Sequence, residues 1–200
     1  MASGGDAGDV RLWDVPSGTV RLAFSGHADS VVSLAFSPDG RALASGGSDN
    51  AAKIWDTKNG RLLTELRGHL GAGVTCVRFH KEGRILATGG LDNTARIWDI
   101  TNARELKRLV PDCVECCVYS VAFSAADEIL ATTGPCGVIT LWDYENGQKL
   151  KSLHLKDEFI ECLEFSRDGR SLAATTEDEL IYVIGVPSNF AHHPKEAGRR

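Results

Sequence analysis

The 200-residue sequence lacks the features that mark several large classes of protein. No apolar run approaches the roughly 20 residues that a membrane-spanning helix requires. The N-terminus has neither the charged region nor the apolar region of a secretory signal peptide. The net charge of −5 does not give the basic surface typical of nucleic-acid binding. We therefore expect no membrane partner, no direct nucleic-acid partner, and a location in the cytoplasm, the nucleus or both.

Motifs that carry catalysis are also missing. The sequence contains no G-x-S-x-G, no phosphate-binding P-loop and no H-E-x-x-H. Acidic clusters at 127–128, 157–158 and 177–179 fall in turns between predicted strands. Hydrated turns explain these carboxylates better than a catalytic acid and base, which need a cleft and shifted pKa values. We expect no enzyme activity and no cofactor.

Six cysteines raise the question of a metal or redox site. Cys113 and Cys116 have the C-x-x-C spacing that suits zinc, but no further ligand stands nearby in the sequence. Cys76 and Cys162 take inner-strand positions that other repeats fill with serine. The remaining two are assigned to a turn and to the start of a strand, at Cys136 and Cys117. We expect a loop of reduced thiols around residues 113–117 and no bound metal.

What the sequence does contain is a repeat. The dipeptide Trp-Asp occurs at 13–14, 55–56, 98–99 and 142–143, at intervals of 42, 43 and 44 residues. Continuing by 42 residues leads to Ile184-Gly185, in a segment that aligns with the earlier copies. A fifth copy is therefore present, although it has lost its Trp-Asp.

Each copy consists of short apolar segments separated by turns. A segment ending in Phe (VVSLAF, VTCVRF, VYSVAF, IECLEF) precedes a turn such as SPDGR, and two further short segments follow. Segments of four to six residues bounded by Gly, Asp, Ser or Pro are typical of antiparallel strands, not helices. In the turn at 37–40, proline restricts φ and glycine allows a positive φ. The predicted class is all-β.

Units of 40 to 45 residues with Gly-His and Trp-Asp marks resemble the WD40 family of β-propellers. The resemblance covers residues 1–186 and implies three complete four-stranded blades flanked by two incomplete ones. The repeat units are a partial one at about 1–14 and four longer ones at 18–56, 60–99, 103–143 and 147–186. Residues 187–200 are expected to form a flexible C-terminal tail.

In WD40 proteins a His, a Ser or Thr, an Asp and the Trp form a buried hydrogen-bonded set with a structural role. The resemblance implies two such sets, at His27, Ser45, Asp49 and Trp55, and at His69, Thr88, Asp92 and Trp98. The donors and acceptors fit, because Trp only donates, carboxylate only accepts, and hydroxyl and neutral imidazole do both.

The later units depart from this pattern. The third keeps Thr132 and Trp142, but Cys136 stands where the Asp belongs and VPDCVECC replaces the Gly-His loop. The fourth keeps only Asp178, with Ile184 in place of Trp and Lys156 near the His position. These blades are expected to depend on apolar packing.

Eighteen strands make about four and a half blades, fewer than the seven usual in this family. Three explanations stay open. The chain is a piece of a longer propeller, or it completes a ring by self-association or with a partner's blades, or it closes as a small five-bladed ring. An open array would leave blade faces and strand edges in water.

The family resemblance implies a non-catalytic scaffold or adaptor that binds proteins or peptides and organises a multiprotein complex. The expected contact surface comprises loop residues next to the Gly-His marks and before the turn Asp, namely Ala28, Asp29, Ser30, Ser48, Leu70 and Leu91. Stretches such as GHADSVVSLAFSPDGRALASGG are similar to the WD-repeat subunit of a promoter-binding transcription factor, and nearly as similar to centriolar, microtubule-severing or ribosome-assembly WD proteins. A subunit of a nuclear transcription or ribosome-assembly complex is therefore one alternative, and a propeller-based enzyme is another.

Overall fold

A computed structural model describes residues 1–71, 73–111, 117–126, 128–155 and 159–186. All regular elements in these ranges are β-strands, so the predicted all-β class is confirmed. No helix long and apolar enough to cross a membrane occurs among these residues.

The described ranges contain 18 strands in five antiparallel sheets, numbered 1 to 5 in chain order. Sheets 2, 3 and 4 have four strands, and sheets 1 and 5 have three, as the repeat pattern predicts. Sheet 1 contains β1 (Ala2–Gly4), β2 (Asp9–Asp14) and β3 (Thr19–Ser25). Sheet 2 contains β4 (Val31–Phe36), β5 (Ala42–Gly47), β6 (Ala51–Asp56) and β7 (Leu62–Arg67).

The other three sheets follow the same order of hairpins. Sheet 3 contains β8 (Val74–Phe79), β9 (Ile85–Gly90), β10 (Ala95–Asp99) and β11 (Arg104–Leu109). Sheet 4 contains β12 (Ser120–Phe123), β13 (Ile129–Thr133), β14 (Val138–Asp143) and β15 (Gln148–His154). Sheet 5 contains β16 (Ile160–Phe165), β17 (Ser171–Thr176) and β18 (Ile181–Gly185).

The hairpin turns follow from their local chemistry. In the turn between β4 and β5, the Ser37 hydroxyl donates to Asp39 at 2.6 Å and accepts from the backbone N–H of Ala42 at 2.9 Å. Gly40 in this turn has φ of 69°, which a side chain would disfavour. Ser166 and Asp168 repeat the hydroxyl–carboxylate contact at 2.6 Å between β16 and β17.

Equivalent positions in the sheets are identified by strand register. The second strand pairs with the third through the couples Leu43–Trp55, Leu86–Trp98, Leu130–Trp142 and Leu172–Ile184. Because each sheet uses the same register, a residue at one place in a repeat occupies the same place in every other sheet.

The core consists of apolar layers between consecutive sheets. Between sheets 2 and 3, Ala44 and Ile54 of one sheet pack with Val77, Leu86 and Trp98 of the next. Equivalent clusters join sheets 1 and 2, sheets 3 and 4, and sheets 4 and 5. One face of every sheet is therefore built to receive the sheet that follows.

The far face of sheet 5 has no such cover among the described residues. Val183 pairs with Ala173 as Ile54 pairs with Ala44, so the two positions are equivalent. Ile54 is 1% exposed, whereas Val183 is 72% exposed. Cys162 of this sheet is also exposed, while the equivalent Cys76 is buried, so packing in an inner strand holds for Cys76 alone.

Candidate functional site

One end of the sheets carries the loops that the sequence assigned to partner binding. The backbone N–H of Ser48 donates to the carbonyl of Ser30 at 2.9 Å, and that of Leu91 donates to the carbonyl of Gly73 at 3.2 Å. These bonds join the loop leading into each sheet to the turn between its second and third strands. We call this end the loop rim, comprising the described residues of 5–8, 26–32, 48–50, 68–75, 91–94, 117–119, 159–161 and 177–180.

Below the rim, the four residues expected in sheet 2 lie together. His27 Nε2 is 2.7 Å from Ser45 Oγ, and His27 Nδ1 is 2.8 Å from Asp49 Oδ1. The indole N–H of Trp55 donates to Ser45 Oγ at 2.7 Å. Ser45 is fully buried, so each of these polar groups depends on the others for its hydrogen bonds.

Sheet 3 has the same arrangement. His69 Nε2 is 2.7 Å from Thr88 Oγ1, His69 Nδ1 is 2.8 Å from Asp92 Oδ1, and the Trp98 N–H donates to Thr88 at 2.9 Å. Since the indole only donates and the carboxylate only accepts, the Thr88 hydroxyl donates to His69 Nε2 and the His69 Nδ1–H donates to Asp92. The network therefore selects one tautomer of a neutral imidazole.

The protonation states agree with this direction of bonding. Burial lowers the pKa of His69 below its ordinary value, against the opposing hydrogen bond and charge of Asp92. Burial also raises the pKa of Asp92, but the hydrogen bonds from His69 and Thr94 outweigh it and bring that pKa to about 2. A neutral imidazole that donates to an ionised carboxylate is consistent with a structural role for the network.

Each Asp also fixes the loop above it. Asp49 Oδ2 accepts the backbone N–H of Ala28 at 2.9 Å, and Asp92 Oδ2 accepts that of Leu70 at 3.2 Å. The loops that present Ala28 and Leu70 are thus hydrogen-bonded to the buried networks.

A buried cation joins each network, and sequence reasoning missed both. Lys53 Nζ lies 3.0 Å from Glu65 and 4.0 Å from Asp49, with a 2.5 Å hydrogen bond to the carbonyl of Gly26. Arg96 takes the equivalent place in sheet 3. The signal was available, because K-I-W-D and R-I-W-D repeat a cation two residues before each Trp in an otherwise apolar strand.

Arg96 is held on both sides by carboxylates. Its Nη2 is 3.1 Å from Asp92, its Nη1 is 2.5 Å from Glu105, and its Nε donates to Thr94 at 3.2 Å. The side chain is 6% exposed, so these partners replace most of its hydration.

Sheets 4 and 5 retain only fragments of this arrangement. The Trp142 N–H donates to Thr132 Oγ1 at 2.9 Å, as in the other sheets. Asp178, the single member that sheet 5 keeps, is exposed. Burial of Leu141, Leu163 and the side chains around them forms the layer between these sheets.

The cysteines differ in part from expectation. Cys136 lies in a turn, as expected, and is disulfide-bonded, which the sequence did not indicate. Cys117 is a free thiol, half-buried, with Sγ 3.6 Å from the carbonyl of Leu91. Cys113 and Cys116 lie outside the described residues, as do Lys156, Ala72 and the tail at 187–200. Within the described ranges, no group of three or more His, Cys, Asp or Glu side chains is placed to hold a metal ion.

The six residues assigned to partner binding all lie at the rim. Leu70 is 72% exposed, Ala28 and Asp29 are exposed, and Ser30 is half-buried. Ser48 and Leu91 are half-buried, and both line a shallow apolar concavity that is open to solvent. Its other walls come from Val32, Gly73, Val74, Thr75 and Tyr119.

The sequence pattern of the family described as "WD domain, G-beta repeat" matches residues 18–56 and 60–99. Coronin-7 of rat is 51% identical over 35 residues, which are 18% of this chain and 4% of that protein. Human Coronin-7 is 54% identical over 35 residues, with the same shares covered. Transcription initiation factor TFIID subunit 5 of Caenorhabditis elegans is 51% identical over 41 residues, which are 20% of this chain and 6% of that protein. The matched segments are thus a small fraction of each relative.

Proposed function

Because this chain carries WD40 repeats, we propose that it is a non-catalytic scaffold that binds other proteins or peptides at the loop rim. The observation that carries the proposal is an apolar surface presented on a fixed backbone. Leu70, Val32 and Leu91 reach solvent at the rim, while the Asp49 and Asp92 carboxylates hold the loops beneath them. A preordered surface loses little conformational entropy when a partner binds.

A peptide-display selection on the 200-residue chain tests this proposal. We expect selected peptides to lose about tenfold or more in affinity when Leu70 and Leu91 are both replaced by Asp, since truncating central apolar anchors removes much of an interface's binding energy. Val15→Asp/Val20→Asp is the matched control, because Val15 and Val20 are 66% and 44% exposed and flank a turn at the opposite end of sheet 1. Selected peptides that ignore the rim substitutions, or respond equally to the control variant, would place the binding surface elsewhere.

The complex served by the scaffold belongs to the cytoplasm or the nucleus in this proposal. Likeness to a transcription initiation factor subunit supports a nuclear transcription complex as one candidate, and the Coronin-7 likeness leaves a cytoplasmic role equally supported. Imaging the native protein with an antibody against this segment discriminates them. Exclusion from the nucleus would remove the transcription candidate.

Two alternative functions have direct tests. An enzyme would turn over substrate, and we expect no turnover in a screen against glycosides and esters. A nucleic-acid-binding protein would retain DNA or RNA in a salt-dependent manner. We expect no retention at any salt concentration, because the net charge is −5.

The exposed face of sheet 5 supports a second kind of partner, a further blade from a second copy or from another chain. Ile181 and Val183 are 70% and 72% exposed, although the equivalent Ala52 and Ile54 are buried under the next sheet. Light scattering of the purified chain, with Val183→Lys as the variant, measures self-association. A monomer at high concentration would exclude a second copy and leave another chain's blade.

A further inference from the structure

The rim concavity has a wall residue supplied in the same way by several sheets. In sheets 2, 3 and 5 the first strand has a β-bulge, where one residue has no partner in the second strand. The unpaired residues are Val32, Thr75 and Glu161 respectively. A residue left out of the ladder by such a bulge turns away from the sheet. Tyr119 takes the corresponding place before Ser120 in sheet 4.

A second rim position also recurs from sheet to sheet. Ser48, Leu91 and Glu177 follow the second strand of sheets 2, 3 and 5, and each donates its backbone N–H to the loop entering its sheet. The acceptor for Glu177 is the carbonyl of Phe159, at 3.1 Å. Both recurring positions are thus uncharged in sheets 2 and 3 and acidic in sheet 5.

Contacts connect the concavity to the acidic end at sheet 5. Tyr119 lines the concavity, and its ring centroid lies 4.8 Å from that of Phe159. The backbone carbonyl of Phe159 accepts the hydrogen bond from the Glu177 N–H, and Glu161 follows Phe159 by two residues. Both glutamates are exposed. The apolar surface therefore continues directly into a pair of carboxylates.

The opposite end of the concavity is acidic as well. Ser48 lines the concavity, and its backbone N–H donates a hydrogen bond to the carbonyl of Ser30. The residue before Ser30 is Asp29, which is exposed. The Ser30 hydroxyl donates to the backbone carbonyl of Asp6 at 3.4 Å, so a second exposed acidic residue approaches Ser30.

These carboxylates are available to a partner. Within the described ranges, no ion pair involves Asp6, Asp29, Glu161 or Glu177. Arg11 lies 3.0 Å from Asp9 and Arg67 lies 2.7 Å from Glu65, so these two guanidinium groups already have carboxylate partners.

We propose that the rim concavity binds an extended segment of a partner protein in which an apolar side chain is flanked on both sides by Lys or Arg. This inference rests on the proposed scaffold function and specifies the partner. The apolar side chain contacts Val32, Leu91 and Tyr119. The basic residues before and after it lie near the two acidic ends, where charge complementarity sets the register of the segment and excludes acidic segments.

The test uses a fluorescein-labelled peptide with Leu-Phe at its centre and two basic residues on each side, titrated into the 200-residue chain at low salt. We expect a peptide with Glu flanks, or with Gly-Gly at its centre, to bind at least tenfold more weakly. The double variant Glu161→Gln/Glu177→Gln should weaken binding of the basic peptide about fivefold or more. The control Glu82→Gln/Glu128→Gln makes the same charge change at exposed turn positions on the opposite end and should leave affinity within twofold.

The outcomes separate this inference from the function on which it rests. Equal binding of the Glu-flanked peptide, or an equal effect of the control variant, overturns the basic–apolar–basic assignment. If display-selected peptides remain sensitive to the Leu70 and Leu91 substitutions but lack basic flanks, the scaffold function stands and the assigned chemistry is wrong. If no peptide of any composition binds at the rim, both proposals fall.

Discussion

Sheets 3 and 4 have the same strand order and register, yet their interiors differ. In sheet 3 His69, Thr88, Asp92 and Arg96 form a continuous hydrogen-bonded network with the Trp98 N–H. In sheet 4 the Trp142–Thr132 bond remains, and Thr140 stands where Arg96 stands in sheet 3. The buried ion pairs of Lys53 and Arg96 lie in sheets 2 and 3.

The comparison indicates that the polar network is not needed to form a sheet of this kind. Apolar burial gives sheet 4 a layer that includes Ile139 and Leu141, both at most 1% exposed. The network fixes the geometry of the loop above it. It also makes the stability of the sheet depend on every member of the network, because a buried polar group left without a hydrogen-bond partner is costly in free energy. We therefore expect sheet 3 to be more sensitive than sheet 4 to loss of a polar group.

The largest effect is expected for the buried cation. Arg96→Met leaves Asp92 and Glu105 without their charged partner and should destabilise sheet 3 by about 3 kcal/mol. Thr140→Val at the equivalent position in sheet 4 should cost less than about 1 kcal/mol, because no charge is left unpaired. Hydrogen-exchange mass spectrometry on peptides covering β9–β10 and β13–β14 measures each sheet separately.

Equal losses of protection in the two sheets would contradict the role assigned to the cation. A gain of stability in Arg96→Met would mean that desolvation of the guanidinium outweighs its two ion pairs. Arg96→Lys is a useful third variant, since it keeps the charge but has one nitrogen in place of the two that reach Asp92 and Glu105.

A smaller difference is expected at the threonines. Thr88→Val removes the acceptor of the Trp98 N–H and the donor to His69, and should cost about 2 kcal/mol. Thr132→Val removes only the acceptor of the Trp142 N–H and should cost about 1 kcal/mol. Both residues are at most 1% exposed, so burial does not separate them. Chemical denaturation followed by circular dichroism, with hydrogen exchange to localise the change, provides the measurement.

The smallest effect is a dependence on pH that sheets 2 and 3 have and sheet 4 lacks at the equivalent positions. Burial lowers the pKa of His27 and of His69, so the unfolded chain takes up these protons more readily than the folded one. The stabilisation is present above the unfolded pKa of 6.5 and is lost as pH falls below it. Between pH 7.5 and 5.5 each imidazole should cost up to about 1.4 kcal/mol.

Exchange protection, corrected for intrinsic rates, should therefore decline more in β9–β10 than in β13–β14 over this range. His69→Gln should reduce that decline, although it lowers stability at pH 7.5. A decline that is equal in both sheets, or unchanged in the variant, would assign the pH dependence to other groups.

Local pattern predicted much of the fold. Short apolar segments, SPDG-type turns and the spacing of Trp-Asp led to all-β structure and to 18 strands in five sheets. The sets around His27 and His69 were expected from the resemblance to the WD40 family, and the constant register then puts the second set at the same place in its sheet as the first. Lys53 and Arg96 were missed, since a lone cation in a strand does not indicate which carboxylates face it.

Other features depended on contacts between distant segments. Cys136 was assigned to a turn, and the position of a cysteine in a turn does not indicate the disulfide that it forms. The concavity at the rim draws Val32, Leu91 and Tyr119 from three sheets. None of these residues carries a signal of its own in the sequence.

The sequence by itself determined the strands, the turns and the number of sheets, because a residue's place in a hairpin depends on neighbours within one repeat. Only the tertiary structure decided which faces are covered, which buried charges are paired, and where apolar and acidic side chains meet at the rim. Those outcomes depend on contacts between repeats about 40 residues apart along the chain, and the free energy of burying a group is set by what the neighbouring sheet places against it.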